Sequence, residues 1–245
     1  VTPDVSVVVP AYNEGPAIIP CLDRLFASIG VPCEILVVCD SLDDTTMPYL
    51  DDYAAREPRL VPALNTYGRG PARALRFGMD HARAPVAVVT MADGSDDTDQ
   101  IDEMVGLVQQ GAAVVAASRY MPGGRQLGGP FLKRSLSRAA GLSLSWFGRV
   151  GTHDATNSFK AYATDFVRAA GIESDAGFEI GIELVSKAKR LGLRVTEIPT
   201  TWTDRTEGVS NFKLAKWLPR YLHWYWVALG PRGSRDMMSK PLEER

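Results

Sequence analysis

Short apolar runs alternate along the first half of the chain with longer segments that mix apolar and polar positions. The runs are 5–9, 35–38, 60–63, 86–90 and 114–117, and the third is the weakest. Runs of this length with almost no polar break suit parallel strands buried on both faces. The stretches between them, 15–28, 45–55, 70–81 and 99–110, read as helices. Strand and helix in regular alternation predict an α/β fold with a doubly wound, mostly parallel sheet flanked by helices. Ligands of such sheets bind beyond the carboxyl ends of the strands. Polar clusters fall there: Tyr12, Asn13 and Glu14 after the first run, Asp40 to Asp44 after the second, Asp93 to Asp97 after the fourth.

The second half is less regular. The Gly-rich segment 121–129 predicts a mobile loop. Segments 135–147 and 178–191 predict helices, the latter ended by Gly192, and 194–198 a strand. The tail 213–229 sets Trp217, Tyr221, Trp224, Tyr225 and Trp226 among Lys213, Lys216 and Arg220. Pro219 inside it argues against one long helix. The simplest division is one domain over 1–212 with a C-terminal aromatic and basic appendage over 213–245.

Composition narrows the function classes. With 27 Lys and Arg against 29 Asp and Glu in 245 residues, no strong field recruits nucleic acid. Cys21, Cys33 and Cys39 form no C-x-x-C pair and predict reduced core thiols, hence a cytoplasmic protein. The first residues lack the pattern of a signal peptide, and no apolar stretch reaches bilayer length. The expectation is a soluble protein, or one peripheral to the inner face of a membrane.

The turn Met91-Ala92-Asp93-Gly94-Ser95-Asp96-Asp97 carries the strongest local chemistry. A carboxylate at the end of a buried strand, followed by hydroxyl and carboxylate oxygens, suits a hard divalent cation, Mg2+ or Mn2+. The alternative is a plain turn, with Asp96, Asp97 and Asp99 capping the next helix, a role that suits Asp97 and Asp99 best. Asp40 follows the second run, where a carboxylate can accept hydrogen bonds from a nucleotide base or ribose or else cap a helix, a job Asp43 or Asp44 fits better. The segment Asn65-x-x-Gly68-Arg69-Gly70 offers close backbone approach and a cation for phosphates.

These features occur in order with further motifs. Val-Val-Pro-Ala-Tyr-Asn-Glu occupies 8–14, Ala-Ser-Arg-Tyr 117–120, Asp-Ala-Thr-Asn-Ser-Phe-Lys-Ala-Tyr 154–162 and Gly-Phe-Glu 177–179. Asp204-Arg205 with Gly208 and Ser210 completes the set, which covers about residues 4 to 215. The chain resembles family-2 glycosyltransferases of the GT-A fold, in the branch of the dolichol- and polyprenyl-phosphate mannose synthases.

The resemblance implies transfer of a sugar from a nucleotide diphosphate donor, with inversion, to an acceptor such as a polyprenyl phosphate. It places Pro10, Ala11, Tyr12, Glu14 and Asp40 at the nucleoside. Ala92 and Asp93 fall at the ribose, diphosphate and metal, with Ser95 as a further metal ligand. Arg119, Lys133 and Ser137 fall at the acceptor phosphate, and Arg69, Arg205 and Lys213 at the donor diphosphate. GDP-mannose and UDP-hexoses both remain open as donors. The family usually writes Asp-x-Asp at the metal turn, and here Met91 replaces the first Asp.

A phosphate acceptor is already anionic and needs alignment rather than a base. A hydroxyl acceptor needs a carboxylate, for which Asp154 is the candidate. Its other reading is a turn former bonded to Thr156. Glu179 and Glu183 share a helical face and either orient a loop or lie at the surface. The aromatic and basic tail suits a membrane headgroup region, or equally a face packed on the catalytic domain. A nucleotidyltransferase would carry a Gly-rich loop where this chain has Ala-Tyr-Asn-Glu. A degenerate nucleotide-binding scaffold is the non-catalytic alternative that Met91 keeps open.

Overall fold

The computed structural model describes residues 2–129, 131–204 and 214–230, with the side chains of 131–133 and 214–217 outside the described set. The apolar runs become β1 (Val5–Ala11), β2 (Cys33–Cys39), β3 (Leu60–Leu64), β4 (Val86–Val89) and β5 (Val114–Ser118). Val5, Val7, Val8 and Val9 are wholly buried, as are Ile35, Val37 and Val38. Burial on both faces is why these runs carry no alternation. Helices α1 (Ile18–Ser28), α2 (Met47–Ala54), α3 (Pro71–His81) and α4 (Ile101–Gln109) connect them and cover the two faces.

With β7 (Lys160–Ala163) and β8 (Val195–Pro199), one sheet of seven strands runs in the order β3-β2-β1-β4-β7-β5-β8. The doubly wound, mostly parallel α/β architecture is therefore present. One strand departs from it: β7 (Lys160–Ala163) lies antiparallel between β4 and β5. The next helix, α6 (Thr164–Ala170), begins directly after it. The order puts the carboxyl ends of β2, β1 and β4 side by side, so their polar clusters share one rim.

The Gly-rich segment is not simply a loop. Within it, β6 (Arg125–Leu127) pairs in parallel with β9 (Thr201–Thr203), which follows β8 (Val195–Pro199). Gly124 allows this turn, because a Cβ there would lie 2.3 Å from the Ser118 carbonyl oxygen. Helix α5 (Phe131–Ser143) comes next and ends in a π-turn, Leu144–Gly148. Helix α7 (Ile180–Arg190) ends as expected at Gly192, whose φ of 72° is left-handed.

The tail is one continuous helix, α8 (Leu214–Leu229), with Pro219 inside it, contrary to the sequence expectation. Proline removes a single backbone donor, and Pro219 sits on the exposed side. The opposite side is anchored: Trp224 and Ala228 are buried in the core cluster with Leu184 and Val185 of α7. Among the described residues no helix is long and apolar enough to cross a membrane. Cys21, Cys33 and Cys39 are free and buried, as core thiols should be.

Candidate active site

At the rim of β1 the chain turns sharply. Asn13 takes a left-handed φ of 54°, and its N–H donates to both carboxylate oxygens of Asp44 at 3.0 and 3.1 Å. Asp44 Oδ1 also accepts from Thr46 N at 2.8 Å, and Glu14 N donates to Thr46 Oγ1 at 3.0 Å. Asp44 thus fixes the β1 and β2 loops against each other. Pro10 and Ala11 end the buried strand, whereas Tyr12 is 60% exposed and presents its ring at the rim.

Asp40 follows β2 and is half-buried. Its Oδ1 accepts from Asn65 Nδ2 and its Oδ2 from Gly70 N, both at 2.7 Å. Asn65 Nδ2 also donates to the Gly68 carbonyl at 2.6 Å, so the Asn65–Gly70 loop closes on Asp40. Arg69 is exposed on that loop. Arg73, which sequence reasoning did not select, lies under it: a Cβ at Gly68 would sit 2.7 Å from its Nη1. Left-handed φ values of 97° at Gly68 and 121° at Gly70 make glycine the fitting residue at both positions.

The turn after β4 holds Ala92 buried and Asp93 half-buried. Asp93 Oδ1 accepts from Ser95 N at 3.1 Å, while the Ser95 carbonyl accepts from Thr203 N of β9 at 3.1 Å. Asp97 occupies the cap position of the following 3-10 turn without a side-chain hydrogen bond to it, and pairs instead with Arg24 at 3.5 Å. Asp99 is exposed in the first turn of that segment. The structural carboxylate is Asp96, which accepts from Thr90 Oγ1 at 3.0 Å and Met91 N at 3.1 Å. Burial raises its pKa to about 6.

No cluster of three His, Cys, Asp or Glu side chains able to hold a metal occurs among the described residues. The Ser95 hydroxyl oxygen, however, is buried and has no hydrogen-bond partner. A buried polar atom of this kind is costly unless something completes it. Asp93 and Ser95 therefore fit a hard cation that takes few protein oxygens and fills its shell with diphosphate and water.

A second cluster joins β5, α5 and the loop before β7. Arg119 donates through Nε to Asp154 Oδ2 at 2.7 Å and through Nη2 to Oδ1 at 3.0 Å. Its Nη2 also reaches Ser137 Oγ at 3.2 Å. Ser137 is shared with the Tyr120 hydroxyl at 3.0 Å and the Thr156 hydroxyl at 2.7 Å. Asp154 is wholly buried and accepts further from the N–H groups of Arg119 and Asn157 and from Thr156 Oγ1. The Thr156 bond is the one expected of a turn-forming Asp. Lys133 lies on the same helix as Ser137, with its side chain outside the described residues, and Arg205 and Lys213 fall outside them altogether. Arg119 and Asp96 are near enough for their charges to interact, which places this cluster beside the Asp93 turn.

Two groups passed over as site residues complete the region. Lys160 is wholly buried at the start of β7, and burial lowers its pKa to about 7. Glu179 and Glu183 are buried loop anchors rather than surface residues. Glu179 accepts from Ala176 N at 3.2 Å and Gly177 N at 2.7 Å, and Glu183 from Glu173 N at 2.7 Å and Ser174 N at 2.9 Å. The loop they hold touches the Asn65–Gly70 loop, since a Cβ at Gly70 would meet the Ala176 carbonyl oxygen at 3.5 Å.

The carboxylate turn after β4, the Asn65–Gly70 loop closed on Asp40 and the Arg119–Asp154 pair lie on one rim of the sheet. The family model described as Glycosyl transferase family 2 matches residues 6–167. The chain belongs to glycosyl transferase family 2. This family-2 chain is 29% identical over 227 residues to the polyprenol monophosphomannose synthase of Mycolicibacterium smegmatis, covering 86% of this chain and 85% of that one. It is 28% identical over 213 residues to the undecaprenyl-phosphate mannosyltransferase of Micrococcus luteus, covering 84% and 86%.

Among solved structures, a Pyrobaculum calidifontis mannosyltransferase in complex with GDP-Man and Mn2+ superposes with a TM-score of 0.63. Identity is 21%, over 92% of this chain and 64% of that one. The glucosyl-3-phosphoglycerate synthase of Mycobacterium tuberculosis, in complex with Mn2+, UDP and phosphoglyceric acid, gives 0.65 at 17% identity, over 95% and 80%. Likeness at that identity speaks to fold, and the fold is GT-A.

Proposed function

We propose that this family-2 glycosyltransferase passes a hexose from GDP-mannose or a UDP-hexose to a polyprenyl phosphate, with inversion at the anomeric carbon. The observation that carries the acceptor class is the state of Asp154. Both its oxygens are taken by Arg119, Thr156 and Asn157, and it is sealed from solvent. A carboxylate so engaged is poorly suited to take a proton from a hydroxyl. A phosphate monoester needs no such base. It needs a guanidinium held in one orientation, which Asp154 gives Arg119.

In this reading Pro10, Ala11, Tyr12, Glu14 and Asp40 frame the nucleoside, and Arg69, Arg205 and Lys213 serve the donor diphosphate. Asp93 and Ser95 would hold Mg2+ or Mn2+, which supplies charge neutralisation for the departing nucleotide diphosphate. Arg119, Ser137 and Lys133 grip and align the acceptor phosphate. Catalysis then rests on alignment and on stabilising the leaving group. The names of the relatives that act on polyprenyl phosphates support the same class. The face of α8 that carries exposed Trp226 supports peripheral contact with the membrane presenting such a lipid.

Calorimetry with GDP and UDP, with and without Mn2+, tests the donor half. We expect one nucleotide to bind with metal, and Asp93→Ala to weaken it by about tenfold or more. Turnover with a short polyprenyl phosphate and with the matching polyprenol tests the acceptor half. Transfer to the alcohol but not the phosphate would sink it. Nucleotide binding without turnover on either acceptor favours the degenerate scaffold that Met91 in place of an Asp suggests, and failure of both nucleotides to bind sinks the donor half.

A further inference from the structure

Lys160 is an ionisable side chain at 0% exposure on an interior strand of the sheet, between Val89 of β4 and Ala116 of β5. Its Nζ donates to the Ala155 carbonyl at 3.2 Å and to the Asn157 carbonyl. Both carbonyls belong to the turn whose first residue is Asp154. That turn is tied at its other points as well. Asp154 N donates to Thr152 Oγ1 at 3.0 Å, Asn157 Nδ2 to the Ala117 carbonyl at 2.8 Å, and Thr156 meets Ser137 at 2.7 Å.

The first turn of α7 closes over the ammonium. A Cβ at Gly181 would stand 3.0 Å from the Asn157 carbonyl oxygen and 3.4 Å from Lys160 Nζ. The charged groups that act on it are Asp154 from the turn, Asp96 from the β4 loop and Arg119 from the end of β5. Placing an ammonium among carbonyls inside a sheet carries a desolvation cost that an apolar side chain avoids. The return is two backbone carbonyls fixed by a strong donor at the point where the Arg119 anchor is built.

We propose that Lys160 is the positioning residue of the acceptor grip, clamping the Asp154–Asn157 turn so that Asp154 aims Arg119. The assignment rests on the reading that Arg119 and Ser137 receive the acceptor phosphate. It extends that reading to a residue that touches no substrate.

Lys160→Met keeps much of the side-chain length and removes the donors. The full chain with Mn2+, a nucleotide sugar and a short polyprenyl phosphate is the system to test. Hydrogen exchange over 154–159 should quicken about tenfold or more, and the acceptor KM should rise by a similar factor. The donor KM should stay within about twofold, since the Asp40 and Asp93 groups lie outside the clamp. Gly181→Ala presses on the same carbonyl with the ammonium kept. It should raise the acceptor KM several-fold in the same direction, and it carries the test if the methionine variant does not fold.

Unchanged exchange with an unchanged acceptor KM overturns the clamp, as does a rise confined to the donor KM. Faster exchange in 154–159 without any change in acceptor KM means that the turn is clamped but does not serve the acceptor. That result refutes the proposed role and the acceptor reading together.

Discussion

Removing the Asp154 carboxylate would leave the Arg119 guanidinium inside the protein without its charged partner. Breaking a buried pair from one side costs about 3–5 kcal/mol, most of it the stranded charge. Asp154→Asn, which keeps the shape, should lower unfolding stability by about 3 kcal/mol in a denaturant titration. The kinetic pattern separates two roles. If Asp154 aims Arg119 at a phosphate, the acceptor KM rises by about tenfold or more and nucleotide affinity holds. If Asp154 were a general base, kcat would fall steeply while acceptor KM stayed near its original value. Asp40, Asp93 and Asp154 were visible in the sequence because each stands at a motif or strand end. Lys160 and Arg73 were not, while for Glu179 and Glu183 the shared helical face left loop-holding as one of two readings, and burial decides for it. Charged residues are rarely fully buried, and nothing local in Phe-Lys-Ala-Tyr announces that this lysine is enclosed.

At the scale of elements, the parallel strands declared themselves through β-branched runs, and β7 did not. It is four residues long, Lys-Ala-Tyr-Ala, with no β-branched residue, and its burial comes from being inserted between β4 and β5. The pairing of β6 with β9 was hidden for a different reason, since three-residue strands across a long separation leave no periodic trace. Helix α8 reversed the expectation from Pro219 because packing of Trp224 and Ala228 outweighs one missing hydrogen bond. Helix packing gives a paired prediction. In α3, a Cβ at Gly78 would lie 2.3 Å from Val8 Cγ1 and 3.2 Å from Val38 Cγ2. Gly78→Ala should therefore cost about 1–3 kcal/mol by overpacking, lowering Tm by about 2–4 °C for each kcal/mol. In α4, a Cβ at Gly106 meets nothing within 4 Å. Gly106→Ala should raise stability by about 0.4–1 kcal/mol. Thermal melts of the two variants beside the parent check both signs.

Taken as a whole molecule, the protein carries its apolar exposure unevenly. Trp146 is 69% exposed and Phe147 76%, both in the π-turn that ends α5, and Trp226 of α8 is 67% exposed. The two segments are joined: Tyr225 donates to Ser143 Oγ at 3.0 Å, and Gly148 packs against the end of α8. Leu218 and Leu222 extend the exposed apolar side of the helix. The other side of α8 is fixed to α7, with the Trp224 carbonyl accepting from Ser186 Oγ at 3.2 Å and Lys187 Nζ standing 5.2 Å from the Trp224 ring. Exposed aromatics on a packed helix suit a membrane interface, and α5 also carries Ser137, which bonds Arg119 and is proposed to meet the acceptor. With a net charge of −2 the chain as a whole has no electrostatic attraction to an anionic surface, and the exposed aromatics would supply apolar contact instead. Zwitterionic phosphatidylcholine vesicles should accordingly bind the protein in a flotation assay. Trp226→Ser removes about 1.5–3 kcal/mol of burial, so the partition coefficient should fall roughly ten- to hundredfold. Trp146→Ser should act in the same direction, with nucleotide binding unchanged in both variants. Vesicle binding unaffected by either substitution would refute the membrane face. A monomer–dimer equilibrium that both substitutions shift would instead assign these aromatics to a second copy of the chain.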